Sequence, residues 1–296
     1  MASSHTDAAL AAAVATARGL GLRVGEPVVL KDGCSLLVHL RPAPVVARVA
    51  TGTGLVRDGD GWLAREVAVA RFLADAGEAV VAPSRELPPG PHHRDGFALS
   101  FWEHVPATAA GLPDAYEAGR RLRSCHAALL GFPGELPRMG ALEEARAIVE
   151  RLSAHSFATP ADLDLLRATG DRAAARVAAL DLPLQPIHGD AHLHNVIQTA
   201  ERPMWNDWED AFLGPTAWDL ACLYAPLPPF GTHDPARAGQ AYRGYGAPVH
   251  ADILRALVGA RRFQMLVWGI VLAMGRPEQR AWVDEQLAWL RAHTRP

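Results

Sequence analysis

Lysine is almost missing from this chain: of 29 basic residues one is Lys31, which leaves 28 arginines. Any role given elsewhere to an ammonium must fall here to arginine, a permanently charged planar fork. Cysteine is scarce too. Cys34, Cys125 and Cys222 are odd in number and far apart, which argues against a disulfide framework and suits reduced core thiols in the cytoplasm. Long apolar runs are lacking. The longest without a charge, Phe263 to Gly275, is too short to span a bilayer and reads as a buried helix. Charge of one sign is not in excess. A net charge of −3 points to neither a nucleic-acid partner nor an anionic membrane. The N-terminus has no basic region followed by an apolar core, and Thr6-Asp7 reads as a cap for the Ala-rich helix that follows. No internal repeat is present. Thr51-Gly52-Thr53-Gly54 lacks the Gly-Lys-Ser/Thr ending of a phosphate loop. Asp58-Gly59-Asp60-Gly61 starts like a calcium loop but meets Leu63 and Val69 where the cage would close.

What is present is a 296-residue chain, 49% hydrophobic, with mean hydropathy near zero. That is enough for two modest domains with cores. The most informative stretch begins at Ile187. Asp190 is followed five residues later by Asn195, and twelve residues beyond that by Asp207. Gln185 to His188 reads as extended, and Gly189 allows a tight turn. Val196-Ile197 and Met204 to Asp207 read as two strands, joined by a polar turn over Thr199 to Pro203. One acid to orient and deprotonate a hydroxyl, and an amide and an acid to hold Mg²⁺ on phosphates, is the outfit of a phosphoryl-transfer enzyme.

The residues His188-Gly189-Asp190, Asn195 and Asp207-Trp208-Glu209, with Gly214-Pro215 and Asp219-Leu220-Ala221 after them, resemble the aminoglycoside phosphotransferase and choline kinase-like family. The resemblance implies an α+β, two-lobe protein-kinase-like fold: a small antiparallel-sheet lobe over 1–103 and a mostly helical lobe over 104–296. It implies a small-molecule kinase that uses Mg²⁺ and ATP or GTP, with Asp190 as base and Asn195 and Asp207 as metal ligands. Asp219 is expected to anchor the catalytic loop. The Arg- and Ala-rich composition fits a GC-rich bacterial genome, where such kinases serve in antibiotic resistance or metabolite tailoring.

The first hundred residues fit the nucleotide lobe. Val28 to Leu30 and Cys34 to Leu40 read as strands joined by a turn at Lys31-Asp32-Gly33, so that backbone N–H groups of Gly33 and Ser35 can cover phosphates. Val45 to Ala50 reads as a third strand whose central polar residue is Arg48, which in the resemblance takes the place of the phosphate-pairing lysine. Leu63 to Ala76 reads as an amphipathic helix stopped by Gly77, with Glu66 facing inward. A buried Glu needs a partner, and Arg48 is the natural one. Pro88 to Gly96 reads as a hairpin tip. Phe97 to Trp102 reads as a strand, and the resemblance makes the stretch after it a hinge whose backbone, near Trp102 to His104, pairs with adenine.

The remainder reads as helices: Ala115 to Leu130, Leu142 to Leu152, Ala161 to Leu180, Ala217 to Tyr224, Ala236 to Arg243, Ala251 to Met274 and Pro277 to Ala292. The partner is a small-molecule hydroxyl acceptor. Glu209 and Asp210 can add negative charge to the acceptor side, which suits an amino sugar. Trp205, Trp208, Trp268, Trp282 and Trp289 can stack on a sugar or quaternary amine, although Trp282 and Trp289, a heptad apart, also suit a core. Two other readings stay open. His188, Asp190, His192 and His194 alternate, and on an extended strand they would face one side and could bind a metal for hydrolysis. A nucleotide-binding protein without transferase activity is the other.

Overall fold

The computed structural model describes residues 2–52, 57, 60–108, 112–152, 158–224, 234–275 and 279–293. Parts of the two glycine motifs at 51–54 and 58–61, and the start of the last helix expected at Pro277, lie outside these residues. The chain divides into two compact units. One comprises Met1–Asp114, Phe132–Gly134 and Val196–Glu209, the other Ala115–Gly131, Glu135–Asn195 and Asp210–Pro296.

The first unit carries a five-stranded antiparallel sheet. Helix α1 (Ala2–Gly19) precedes β1 (Val24–Asp32), β2 (Ser35–Pro42) and β3 (Val45–Ala50). Helix α2 (Gly61–Asp75), β4 (His92–Arg94) and β5 (Phe97–Glu103) follow. The spatial order is β1-β2-β3-β5-β4. Successive side chains of a strand point to opposite faces. Val45, Ala47 and Val49 therefore share a face, which packs in one core with Ala9, Ala12, Ala13 and Ala17 of α1. Alanines with no bulk beyond Cβ let that helix lie close on the sheet. Arg48 consequently faces the other way, toward Glu66 of α2.

Three expectations shift here. The β1–β2 turn is Gly33-Cys34, and Lys31 lies within β1 opposite Leu37. Helix α1 starts at Ala2, so Thr6 and Asp7 lie inside it rather than at its cap; the Thr6 hydroxyl bonds Asp32 at 3.0 Å. The tip over Pro88 to Gly96 contains β4, paired with β5 through a turn in which Asp95 (φ 51°) and Gly96 (φ 84°) are both left-handed, as a two-residue hairpin requires.

The second unit is mostly helical: α3 (Ala115–Leu129), α4 (Gly140–Leu152), α5 (Pro160–Ala178), α6 (Thr216–Tyr224), α7 (Pro235–Tyr245), α8 (Ala251–Gly275) and α9 (Arg280–His293). Helix α8 is long and apolar enough to cross a membrane by length and composition, yet 72% of its apolar window is buried, and it packs on α4, α5 and α6. A three-residue strand β6 (Gln185–Ile187) pairs with the equally short β9 (Phe212–Gly214). The segment after β6 holds Asp190. The hairpin β7 (Val196–Gln198) and β8 (Pro203–Trp205) belongs to the first unit, where Trp205 exchanges backbone bonds with Ala79 and Val81.

Candidate active site

In the first unit a single guanidinium gathers three carboxylates. Arg48 Nη1 lies 2.6 Å from Glu66 Oε1 and 2.7 Å from Asp207 Oδ1, and Nη2 lies 2.5 Å from Glu209 Oε2. Both Arg48 and Glu66 are buried. Burial works against the charge on Arg48, but Asp207, Glu209 and Glu66 more than reverse that, and its pKa stands well above the ordinary arginine value. A planar fork suits this task, since it offers donors in two directions where an ammonium is one point charge. The expected Arg48–Glu66 pair is therefore formed. Asp207 lies beyond the end of β8, not within it, and its φ of 68° is uncommon for a residue with a Cβ. Such backbone persists where surrounding contacts impose it, and the Arg48 bond is one.

Glu209, expected to add charge to the acceptor side, is held by arginines. Arg48 and, at 3.1 Å, Arg57 Nη1 hold its carboxylate, Arg65 Nε donates to its carbonyl oxygen at 3.0 Å, and it is only 8% exposed. Its charge is compensated by arginine. Trp205 and Trp208 are wholly buried, so they pack the core and offer no stacking face. On α9 the buried face is Val283, Leu287 and Leu290. Trp289 is exposed, under Arg262 and stacked on His293, so it is not core.

The turn expected to cover phosphates and the segment expected to be the hinge are also more committed than the sequence suggests. The Gly33 N–H donates to the Ser35 carbonyl at 3.2 Å, so it is engaged within the turn. The Ser35 hydroxyl, by contrast, is buried with no hydrogen-bond partner among the described residues. At the hinge, Glu103 N–H donates to Ala82 and His104 N–H to Pro44, each at 2.9 Å. Those two N–H groups are therefore engaged within the fold. Trp102 is pinned by its indole N–H on Ser100 Oγ at 2.8 Å. The His104 ring stacks on His39, centroids 3.7 Å apart and planes 9° apart. Burial, then His39 and Arg41, lower the His104 pKa.

In the second unit the loop after β6 is held from beneath by Asp219, which is fully buried. It receives the N–H of His188 at 2.8 Å and of Gly189 at 2.9 Å, and His126 Nε2 at 2.8 Å. Trp218 Nε1 donates to the Gly189 carbonyl at 2.9 Å. Gly189 has φ +87°, and a Cβ there would come within 2.1 Å of the Asp210 carbonyl oxygen, so only glycine fits. Asp190 emerges from this turn. Its Oδ2 accepts from Asn195 Nδ2 at 3.1 Å and lies 3.3 Å from His192 Nε2. Its Oδ1 is bonded by Arg261 Nη2 from α8. Burial would raise the Asp190 pKa, but Arg261 and His192 outweigh it and hold the carboxyl far below the usual carboxylate range. Arg261, tied also to Gln264, is the charged partner of Asp190 that sequence reasoning missed. Asp210 also acts electrostatically on Arg261.

The histidine row does not form. The strand ends at Ile187, Gly189 turns the chain, and residues 193–195 make a short 3₁₀ helix. His188 Nδ1 accepts the Asp190 N–H at 3.3 Å and the ring is buried. Among the described residues no three His, Cys, Asp or Glu side chains converge to hold a metal. That removes the basis of the hydrolase reading. The donors expected for Mg²⁺ fit it chemically. Both side-chain hydrogen bonds of Asn195 leave from Nδ2 and neither uses its amide oxygen, and in the first unit Asp207 is a carboxylate. Mg²⁺ takes oxygen ligands and only one or two carboxylates.

A sheet unit with a buried Arg–Glu pair and a helical unit with an Asp–Asn loop define a protein-kinase-like small-molecule kinase. Residues 41–254 match the model of the phosphotransferase enzyme family, APH, and the chain belongs to that family. It is similar in structure to a choline/ethanolamine kinase family protein from Mesorhizobium loti (TM-score 0.62, 21% identity, 97% of this chain and 94% of that one). Amicoumacin kinase hAmiN, in complex with AMP-PNP, Ca²⁺ and Ami, superposes with TM-score 0.71 at 14% identity over 95% and 93% of the two chains. The GDP and kanamycin complex of APH(2")-IIia gives 0.60 at 15% over 93% and 95%. No curated protein sequence matches the chain.

Proposed function

We propose that this kinase moves the γ-phosphoryl group of ATP or GTP to a hydroxyl of a small polar molecule, an antibiotic or a sugar. Asp190 accepts the hydroxyl proton. Asn195 and Asp207 hold Mg²⁺, which when bound neutralises charge on the phosphates. Arg48, oriented by Glu66, pairs with the nucleotide phosphates, and Ser35 closes over them through its hydroxyl. His104 meets the nucleobase through its carbonyl. The gain in rate comes from positioning and charge compensation, since phosphoryl transfer asks little covalent chemistry of the protein.

The observation that carries this reading is the Asp190 carboxylate: ionised, fixed by Asn195 and presented by a loop that Asp219 anchors. The glutamate offered to a cationic acceptor is already neutralised by Arg48 and Arg57. That favours acceptors of lower positive charge within the class.

The test is Mg²⁺-dependent turnover of ATP and GTP against pooled aminoglycosides, macrolides, nucleoside antibiotics, sugars and amino alcohols. Acceptor-dependent ADP or GDP release that drops by about 10²-fold or more in Asp190→Asn is expected. Nucleotide binding with no turnover in any pool would replace the kinase reading with that of an inactive nucleotide binder.

A further inference from the structure

We propose that Arg261 is a positioning residue for this phosphoryl transfer, holding the Asp190 carboxylate so that one lone-pair position, on Oδ1 beside the guanidinium, is left for the acceptor hydroxyl. The inference rests on Asp190 being the base. A carboxylate offers about four lone-pair positions. On Oδ2, Asn195 Nδ2 stands at 3.1 Å and His192 Nε2 at 3.3 Å. On Oδ1, Arg261 Nη2 takes one position, and the fourth is on that same oxygen.

Arg261 is built to stay where it is. It is 5% exposed, and Gln264, three residues on along α8, is 2% exposed. Gln264 Oε1 accepts from Arg261 Nη1, so the two ends of the fork are tied to different partners. A buried guanidinium without its carboxylate is costly, so the pair persists. The loop from His188 to Asn195 contains neither Lys nor Arg. The fixed positive charge at the base is therefore brought from α8, 71 residues further along the chain. A hydroxyl on the remaining position of Oδ1 lies alongside that charge, with its orientation set before the nucleotide's phosphoryl group reaches it. Arg261 acts through Asp190 and takes no proton itself.

Steady-state kinetics test this, with the acceptor that scores in the pooled assay and saturating Mg²⁺. Arg261→Gln should lower kcat by about 10²-fold while the nucleotide KM moves by less than about threefold. Arg261→Lys, which keeps a charge but not the fork, should recover roughly tenfold over the Gln variant. Gln264→Leu, which spares both charges and loosens only the anchor, should lower kcat with KM in place. Unchanged kcat in Arg261→Gln would overturn the inference, as would equal losses in the Lys and Gln variants, which mark a merely structural role. If Arg261→Gln does not fold, wild-type kcat in both Arg261→Lys and Gln264→Leu overturns it. A wild-type protein inert toward every pool is a different result, since it removes the reading of Asp190 itself.

Discussion

His126 on α3 meets Asp219 on α6 at 2.8 Å, and the same carboxylate receives the two N–H groups at the start of the loop that presents Asp190. The loop is thus hung from a carboxylate that never touches solvent. Asp219→Ala orphans three buried donors, the two N–H groups and His126 Nε2, at about 1–3 kcal/mol each. It is expected to lower stability by that amount in a denaturant titration and to abolish turnover. Asp219→Asn keeps one acceptor oxygen and should lose less. An Asp219→Ala protein as stable as the wild type would show that the loop is held by other means.

Arg48→Gln leaves Glu66, Asp207 and Glu209 without their shared cation. Breaking a buried ion pair from one side costs about 3–5 kcal/mol, and a loss of that size is expected in thermal or denaturant unfolding. Arg48→Lys restores one charge but cannot fork, so calorimetry should find Mg-nucleotide binding between that of the wild type and the Gln variant. Wild-type nucleotide affinity in Arg48→Gln would remove Arg48 from the phosphate site.

The three thiols should separate by rate with an aromatic disulfide reagent. Cys34, in the β1–β2 turn, is exposed, whereas Cys125 and Cys222 are buried. Burial pushes the Cys222 thiol up, which suppresses its thiolate, the reactive form. One fast equivalent is expected in the native protein, and Mg-nucleotide should slow it if the turn covers phosphates. No protection by a nucleotide known to bind would move the phosphates away from that turn.

Asp162, in the first turn of α5, carries a pH signature. Burial raises its pKa, but the Thr159 hydroxyl and Arg291 more than reverse this and leave it lowered. A carboxyl lowered on folding stabilises the fold above its unfolded pKa, and that contribution fades as pH falls through the folded one. The stability gap between wild type and Asp162→Asn should therefore be present at pH 7 and shrink in acid. A gap of constant size down to pH 3 would exclude the ionised carboxylate as its source.

Two glycines predict opposite signs. A Cβ at Gly119 would sit 1.9 Å from the Ala241 carbonyl oxygen, where α3 crosses α7, but one at Gly259 on α8 meets nothing within 4 Å. Gly119→Ala should unfold at lower temperature than the wild type. Gly259→Ala should gain up to about 1 kcal/mol from helix propensity. Equal melting temperatures for the two variants would refute the close crossing.

Arg48 and Glu66 were legible because each is a polar residue at a buried position of a regular period, two for the strand and three or four for the helix. Asp190 and Asn195 were legible from their spacing around a glycine. Arg261 was not. Its partner is 71 residues away, and it sits in a helix whose pattern signals only burial. The arginine partners of Glu209 were not legible from its place after Asp207, since they come from β3 and the region of α2. Strands β4 and β9, three residues each, are too short to show alternation. The N–H groups of Gly33 and His104 could not be assigned, since their acceptors, Ser35 and Pro44, are fixed by the register of the fold and not by local composition.

The arginine at the centre of β3 also decides how this protein appears to chemical probes. Reactive nucleotides that acylate an amine beside the phosphates depend on a lysine there. Here the only side-chain amine is Lys31, within β1. With Arg48 in the role proposed for it, such reagents find no lysine in β3 to acylate. A screen that detects kinases by lysine capture would score it as a non-binder, so its occupancy must be followed by reagents for guanidinium or thiol, or with no label at all.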